Sequence, residues 1–201
     1  MSVDMLKRNT VIVAIVDRSG SMDSIKADAI GGFNSFLESQ TMQAGRATFT
    51  LIQFDDIIDT VYNDVPLSDA KPYTKETYQP RGMTALYDAI GRGINQASIN
   101  SEGKQVLVAI LTDGFENSSR EFSRERIQDL ISKRQEAGWE FLFLAAGFSQ
   151  FDAENMAHSV GIKASNSIGF TRNSLRAVYG CASAASASYR STGSVGVDWK
   201  K

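Results

Sequence analysis

Three unbroken apolar runs constrain this chain more than any other feature: VIVAIV at 11–16, VLVAIL at 106–111 and FLFLAA at 141–146. A strand with one face in water alternates apolar and polar residues, so a run without a polar position must be covered on both faces. Runs this short and this rich in Val, Ile and Phe read as central strands of a parallel sheet. The segments between them carry helical spacing instead. Ile25, Ala29, Phe33, Phe36 and Leu37 recur at helical intervals, as do Leu86, Ala89, Ile90, Ile94 and Ala97, and then Ile127, Leu130 and Ile131. FTLIQF (49–54) and IIDTVYNDV (57–65), separated only by Asp55 and Asp56, read as a hairpin. A last strand is expected at 161–165, and a final helix from about Thr171 to Tyr189.

Strands alternating with helices predict an α/β fold: a three-layer, doubly wound, Rossmann-like sheet of about six strands, mostly parallel with one antiparallel edge strand, with helices on both faces. Residues 1–190 are expected to form one domain, and STGSVGVDWKK (191–201) a C-terminal tail with little core signal, part of it mobile. A net charge of −2 with Lys and Arg scattered lacks the basic footprint of a nucleic-acid binder. The single Cys181 forms no internal disulfide, which fits a reducing compartment, so a cytoplasmic location is expected. The opening MSVDMLKRNT lacks the apolar core of a secretory signal, and no apolar run approaches the ~20 residues that span a bilayer.

In a doubly wound sheet, ligands bind beyond the carboxyl ends of the strands, where the strand order reverses. Polar clusters stand at those ends. VIVAIV runs into Asp17, Ser19 and Ser21; VLVAIL runs through a threonine into Asp113; and PRGMTAL (80–86) places Thr84 at the start of the helix before VLVAIL. If the strands of Asp17 and Asp113 are neighbours, both carboxylates converge on one crevice, with hydroxyls from Ser19, Ser21 and Thr84. Hard oxygen donors without imidazole or thiolate favour Mg2+, Mn2+ or Ca2+ over zinc or copper. Two carboxylates neutralise a divalent ion, and neutral hydroxyls leave it electron-poor and able to take an oxygen from outside. The chemistry expected is capture rather than turnover.

Asp17-Arg18-Ser19-Gly20-Ser21, Thr84 in GMTAL and Asp113 in LTDGFENSS resemble the metal-ion-dependent adhesion site of the von Willebrand factor type A (vWA) family. The resemblance extends over roughly residues 8–165 in element order and includes the hairpin and the final helix. It implies that Ser19, Ser21 and Thr84 ligate Mg2+ directly or nearly so and that Asp17 and Asp113 act largely through water. It also implies that the sixth position takes an acidic side chain of a protein partner. The chain is most similar to the compact intracellular members of the family. A metal-dependent protein-binding module follows, rather than an enzyme.

Other readings stand beside these. Asp-x-Ser-x-Ser arises by chance in roughly one chain of this length in twenty, and Ser21 or Asp23 could simply cap the next helix. Glu116 and Asn117 read as loop residues leading to a helix capped near Ser119 or Ser123, with a rim role in selecting partners as the lesser reading. Asp55 and Asp56 read as a solvated turn ahead of ligand contact, and Arg18 as a surface charge or a steering group. His158 reads as a surface or structural residue, Cys181 as packed within a helix, and Met22 and Met83 as core lining. As alternatives to a binding module, the oxygen set fits a Mg2+-dependent hydrolase or phosphatase, or a structural subunit with an incidental metal. The enzyme reading lacks Asp-x-Asp (position 19 is Ser), Gly-x-Ser-x-Gly and a phosphate-binding glycine loop.

Overall fold

The three apolar runs form the middle of a six-stranded sheet in the computed structural model, which describes residues 9–171, 174–196 and 198–200. The strands are β1 (Asn9–Asp17), β2 (Arg46–Phe54), β3 (Ile58–Pro66), β4 (Gln105–Thr112), β5 (Glu140–Ala146) and β6 (Ser167–Phe170), in the order β3-β2-β1-β4-β5-β6. All neighbouring pairs run parallel except β2–β3, so β3 is the antiparallel edge strand. From β1 the chain crosses to β2 on one side, and β4 lies on the other. The strand order therefore reverses between β1 and β4, at the crevice expected to hold the site.

The helices are α1 (Lys26–Thr41), α2 (Leu86–Ile99), α3 (Arg124–Glu136), α4 (Gln150–Ser159) and α5 (Leu175–Thr192). Side chains alternate across a strand, and β1 divides accordingly. Ile12, Ala14 and Val16 join the layer under α1 and α5, while Val11, Val13 and Ile15 join the layer under α2, α3 and α4. Each apolar run thus feeds two cores at once, which is why none of its positions is polar. α1 and α5 pack closely: a Cβ on Gly32 would lie 2.2 Å from the Tyr179 ring. Among the described residues, no helix is long and apolar enough to cross a membrane.

Three features differ from the sequence reading. The last strand is Ser167–Phe170 rather than 161–165; Gly161 turns the chain with φ 87° and Ile162 is buried without pairing to the sheet. α4 was not anticipated, because its buried stripe consists of Ala153, Met156 and Ala157, too few large apolar groups to stand out; Ser149 caps it by accepting from Asp152 N at 3.1 Å. In the tail, Trp199 is buried and its indole N–H donates to the Ser165 carbonyl at 3.1 Å, a contact that a short polar stretch does not advertise. The final helix runs Leu175–Thr192; positions 172 and 173, within the expected helix, lie outside the described residues.

Candidate metal centre

The register of β1 against β4 pairs Val16 with Leu111, so Asp17 and Thr112 emerge side by side at the carboxyl edge. The Thr112 hydroxyl donates to Asp17 Oδ2 at 2.6 Å, and the Ser19 amide donates to Asp17 Oδ1 at 2.6 Å. The Asp17 side chain is fully buried, and among the described residues no Lys or Arg pairs with it. Burial pushes its carboxyl up to about 6, against the pull of the Thr112 hydroxyl and the Ser19 amide.

A line of hydroxyls leads from β1 to β4. Ser19 Oγ lies 3.1 Å from Ser21 Oγ, and Ser21 donates to Asp113 Oδ1 at 2.5 Å. The Ser21 proton is committed to Asp113, so Ser19 is the donor between the two serines. The capping alternative fails at this point. Residues Gly20–Ile25 form a 3-10 turn without a side-chain cap, α1 begins only at Lys26, and the Ser21 hydroxyl faces the second carboxylate instead of the helix.

Thr84 arrives on the segment between β3 and α2, held by its neighbours on every side. Gly20 N donates to Gly82 O at 3.2 Å and Arg81 N to Arg18 O at 2.8 Å, which joins this segment to the turn after β1. Asn117 closes the other side: its side-chain oxygen accepts from Thr84 N at 2.9 Å and its amide donates to Thr84 O at 3.0 Å. A Cβ on Gly114 would lie 3.1 Å from Thr84 Oγ1, so glycine after Asp113 permits that approach. Asp17, Ser19, Ser21, Thr84 and Asp113, from three separate segments, therefore meet at one place. All five donors are oxygens, and among the described residues no cluster of three or more His, Cys, Asp or Glu competes for a metal. The donor set fits a hard divalent cation.

Several nearby residues behave differently from the sequence reading. Asp55 is not in a solvated turn. It is fully buried and accepts from Arg18 Nε and Arg81 Nε, both at 2.9 Å, and from Ile57 N at 2.6 Å. Arg18 is not a surface charge: it is buried, donates to Gln53 Oε1 at 3.3 Å, and has Nη2 in ion-pair contact with Asp59 at 2.6 Å. A carboxylate adjoining a guanidinium in the tertiary fold exchanges water for a partner, and neither residue type announces that in sequence. Asp56, by contrast, is exposed as expected.

Glu116 and Asn117 do precede a helix capped at Ser123, whose side chain accepts from Arg126 N. They also build the site wall. Glu116 accepts from Ser118 N at 2.8 Å, Ser119 N at 2.7 Å, Ser119 Oγ at 2.7 Å and Tyr87 N at 3.0 Å. Asp88, which the sequence reading passed over, is buried and accepts from the amides of Arg120, Glu121 and Phe122 at 2.8–2.9 Å. The helical spacing did not flag it, because Asp88 lies on the opposite side of α2 from the apolar stripe and is covered by the loop at 119–122. Tyr78 was also missed; its hydroxyl donates to the Asp17 carbonyl at 2.5 Å. Met22 lines the core as expected, but Met83 is exposed at the site rim, because the turn that buries Thr84 points its neighbour outward. His158 is exposed near the end of α4, and Cys181 is a partly buried residue of α5.

No family model matches the sequence, and no curated protein is similar to it. Solved structures are. The pilus adhesin SpaC from Lactobacillus rhamnosus GG superposes with a TM-score of 0.66 at 12% identity, covering 88% of this chain and 30% of the adhesin. The vWF domain of the type V pili tip protein Mfa5 from Porphyromonas gingivalis gives 0.65 at 10% identity, covering 88% of this chain and 94% of that one. A von Willebrand factor type A protein from Catenulispora acidiphila gives 0.59 at 15% identity, covering 90% of this chain and 43% of that one. The chain spans less than half the length of the first and third of these proteins. These likenesses, together with the sheet order and its antiparallel edge, give the chain the fold of a von Willebrand factor type A domain.

Proposed function

We propose that this chain is a divalent-metal-dependent protein-binding module of the adhesion type, in which Mg2+ at the carboxyl edge captures an acidic side chain of a partner protein. Asp17 carries the reading: a fully buried carboxylate supplied with a hydroxyl and an amide but, among the described residues, with no basic side chain. An ionised carboxylate in that position is costly unless a cation lies beside it. Ser19, Ser21 and Thr84 would hold the cation with Asp17 and Asp113; Mn2+ and Ca2+ suit the same donors. When bound, the metal supplies a Lewis-acidic position for an oxygen of the partner.

The chain's own residues do the rest. Thr112 and the Ser19 amide orient Asp17, Ser21 orients Asp113, and Asn117 fixes the backbone of Thr84. With two carboxylates balancing the dication, an incoming carboxylate meets little net repulsion. The pilus adhesin and the pili tip protein among the similar structures support an interaction role at the level of fold. Isothermal titration with MgCl2 tests the proposal. The expected result is a binding isotherm for the wild type that disappears in both Asp17→Ala and Thr84→Ala; an isotherm unchanged in either variant sinks the assignment.

A further inference from the structure

The same edge of the sheet carries an unusual share of the exposed apolar surface. Ile57 is 52% exposed, Met83 52%, Phe115 63% and Phe151 72%; the other exposed large apolar side chains among the described residues are Met42 and Ile99, at the far ends of α1 and α2, and Val61 in the edge strand. The four belong to separate connections at the carboxyl ends of the strands. Ile57 follows β2, Met83 precedes Thr84, Phe115 follows Asp113 by two residues, and Phe151 opens α4 after β5. Phe148 ties two of these connections together, with its ring edge-on to Phe115 at 5.0 Å between centroids.

Three of these residues, Met83, Phe115 and Ile57, belong to segments that carry the oxygen donors or are fastened to them. Met83 adjoins Thr84, and Gly114, between Asp113 and Phe115, approaches the Thr84 hydroxyl so closely that a Cβ there would lie 3.1 Å from it. Ile57 N is bound to Asp55, whose carbonyl accepts from Ala85 N at 2.8 Å, so the hairpin tip is fastened to the Thr84 segment. Exposed apolar groups clustered around a polar centre mark a contact surface, since scattered single residues need no explanation but a collar around one site does.

We infer that this apolar collar is the specificity element of the site: it selects a partner loop in which the acidic residue stands directly beside an aromatic or large aliphatic residue. The inference rests on the metal-dependent capture proposed above. The charge argument fixes the occupant. On that reading the cation would take one carboxylate oxygen at the centre, and the Arg81 guanidinium nearby is already paired with Asp55. The exposed side chains of Met83, next to Thr84, and Phe115, close to Asp113, are apolar and offer a neighbouring residue of the partner an apolar contact. An acid flanked by polar residues would leave Met83 and Phe115 in water; an acid flanked by Phe or Leu covers them.

Two acetylated synthetic hexapeptides, each with one central Asp, provide the probe: one with Phe and Leu beside the Asp, the other with Ser and Gly. Fluorescence polarisation is read with MgCl2 and with EDTA. The Mg2+-loaded protein is expected to bind the apolar-flanked peptide at least about tenfold more tightly. The double variant Met83→Ser/Phe115→Ser should lose that preference while its Mg2+ isotherm stays unchanged; both positions are exposed, and circular dichroism verifies the fold. Equal affinity for the two peptides, binding of neither, or a preference that survives the double substitution overturns the inference. If the Mg2+ isotherm itself is absent from the wild type, the underlying capture reading fails, and the titration identifies that failure separately.

Discussion

Asp17 and Asp55 are both fully buried, both leave the carboxyl edge of the same sheet, and are treated in opposite ways. Asp55 receives two guanidinium groups, from Arg18 and Arg81, and a backbone amide. Asp17 receives one hydroxyl and one amide, and burial holds its carboxyl up at about 6. The first carboxylate has its countercharge built into the chain and works as a rivet between the turn after β1, the hairpin and the Thr84 segment. The second has its donors arranged but no basic partner among the described residues, and on the proposed reading a bound cation supplies its countercharge. The two acids share a letter in the sequence but not an electrostatic environment in the fold.

The largest effect should come from breaking the rivet. Asp55→Ala leaves Arg18 buried without its principal partner and is expected to cost about 3–5 kcal/mol, measured by urea denaturation. Next comes the reverse effect at Asp17. In EDTA, a carboxyl raised from 3.8 to about 6 favours the protonated form in the fold, so stability should fall as pH rises between about 4 and 6 and level off above. Asp17→Asn should remove that slope and gain up to about 3 kcal/mol at pH 7 without metal, because asparagine accepts from Ser19 N and donates to Thr112 without a charge. Denaturation curves across pH check both points, and a destabilised Asp17→Asn protein would erase the contrast with Asp55.

Metal addition sharpens the comparison further. At a hundredfold excess over the dissociation constant, Mg2+ should stabilise the wild type by about 2.7 kcal/mol and leave Thr84→Ala unmoved, as read by thermal unfolding. The smallest effect is expected at the collar: Met83→Ser should change stability by less than about 0.5 kcal/mol, because its side chain is half exposed.

The sheet was legible because burial on both faces writes itself as continuous apolar sequence, as in VIVAIV and VLVAIL. The meeting of Asp17, Ser19, Ser21, Thr84 and Asp113 was legible for a related reason: strand ends gather at the switch point whatever the loops contain. The Arg18–Asp55 pair was not, since an Asp-Asp hairpin tip has the same composition whether wet or buried. α4 escaped because Ala and Met cover a sheet with little apolar periodicity. Asn117 was seen as a polar loop residue, but its grip on Thr84 depends on two loops that are distant in sequence. Met83 was assigned to the interior on its chemistry alone, whereas its exposure is decided by the turn that buries the threonine beside it.

The in-step pairing of β1 with β4 has a consequence for what this lineage can change. Because Val16 stands level with Leu111, each strand delivers its acid only if the count of residues along it is kept. One residue gained or lost within either strand would turn every later side chain to the opposite face, sending Asp17 or Asp113 away from the crevice and an aliphatic group into it. Substitutions of the exposed Met83 and Phe115 side chains leave that count intact, so the surface around the crevice can change where the strands cannot. Inside the two central strands, length itself is a structural constraint.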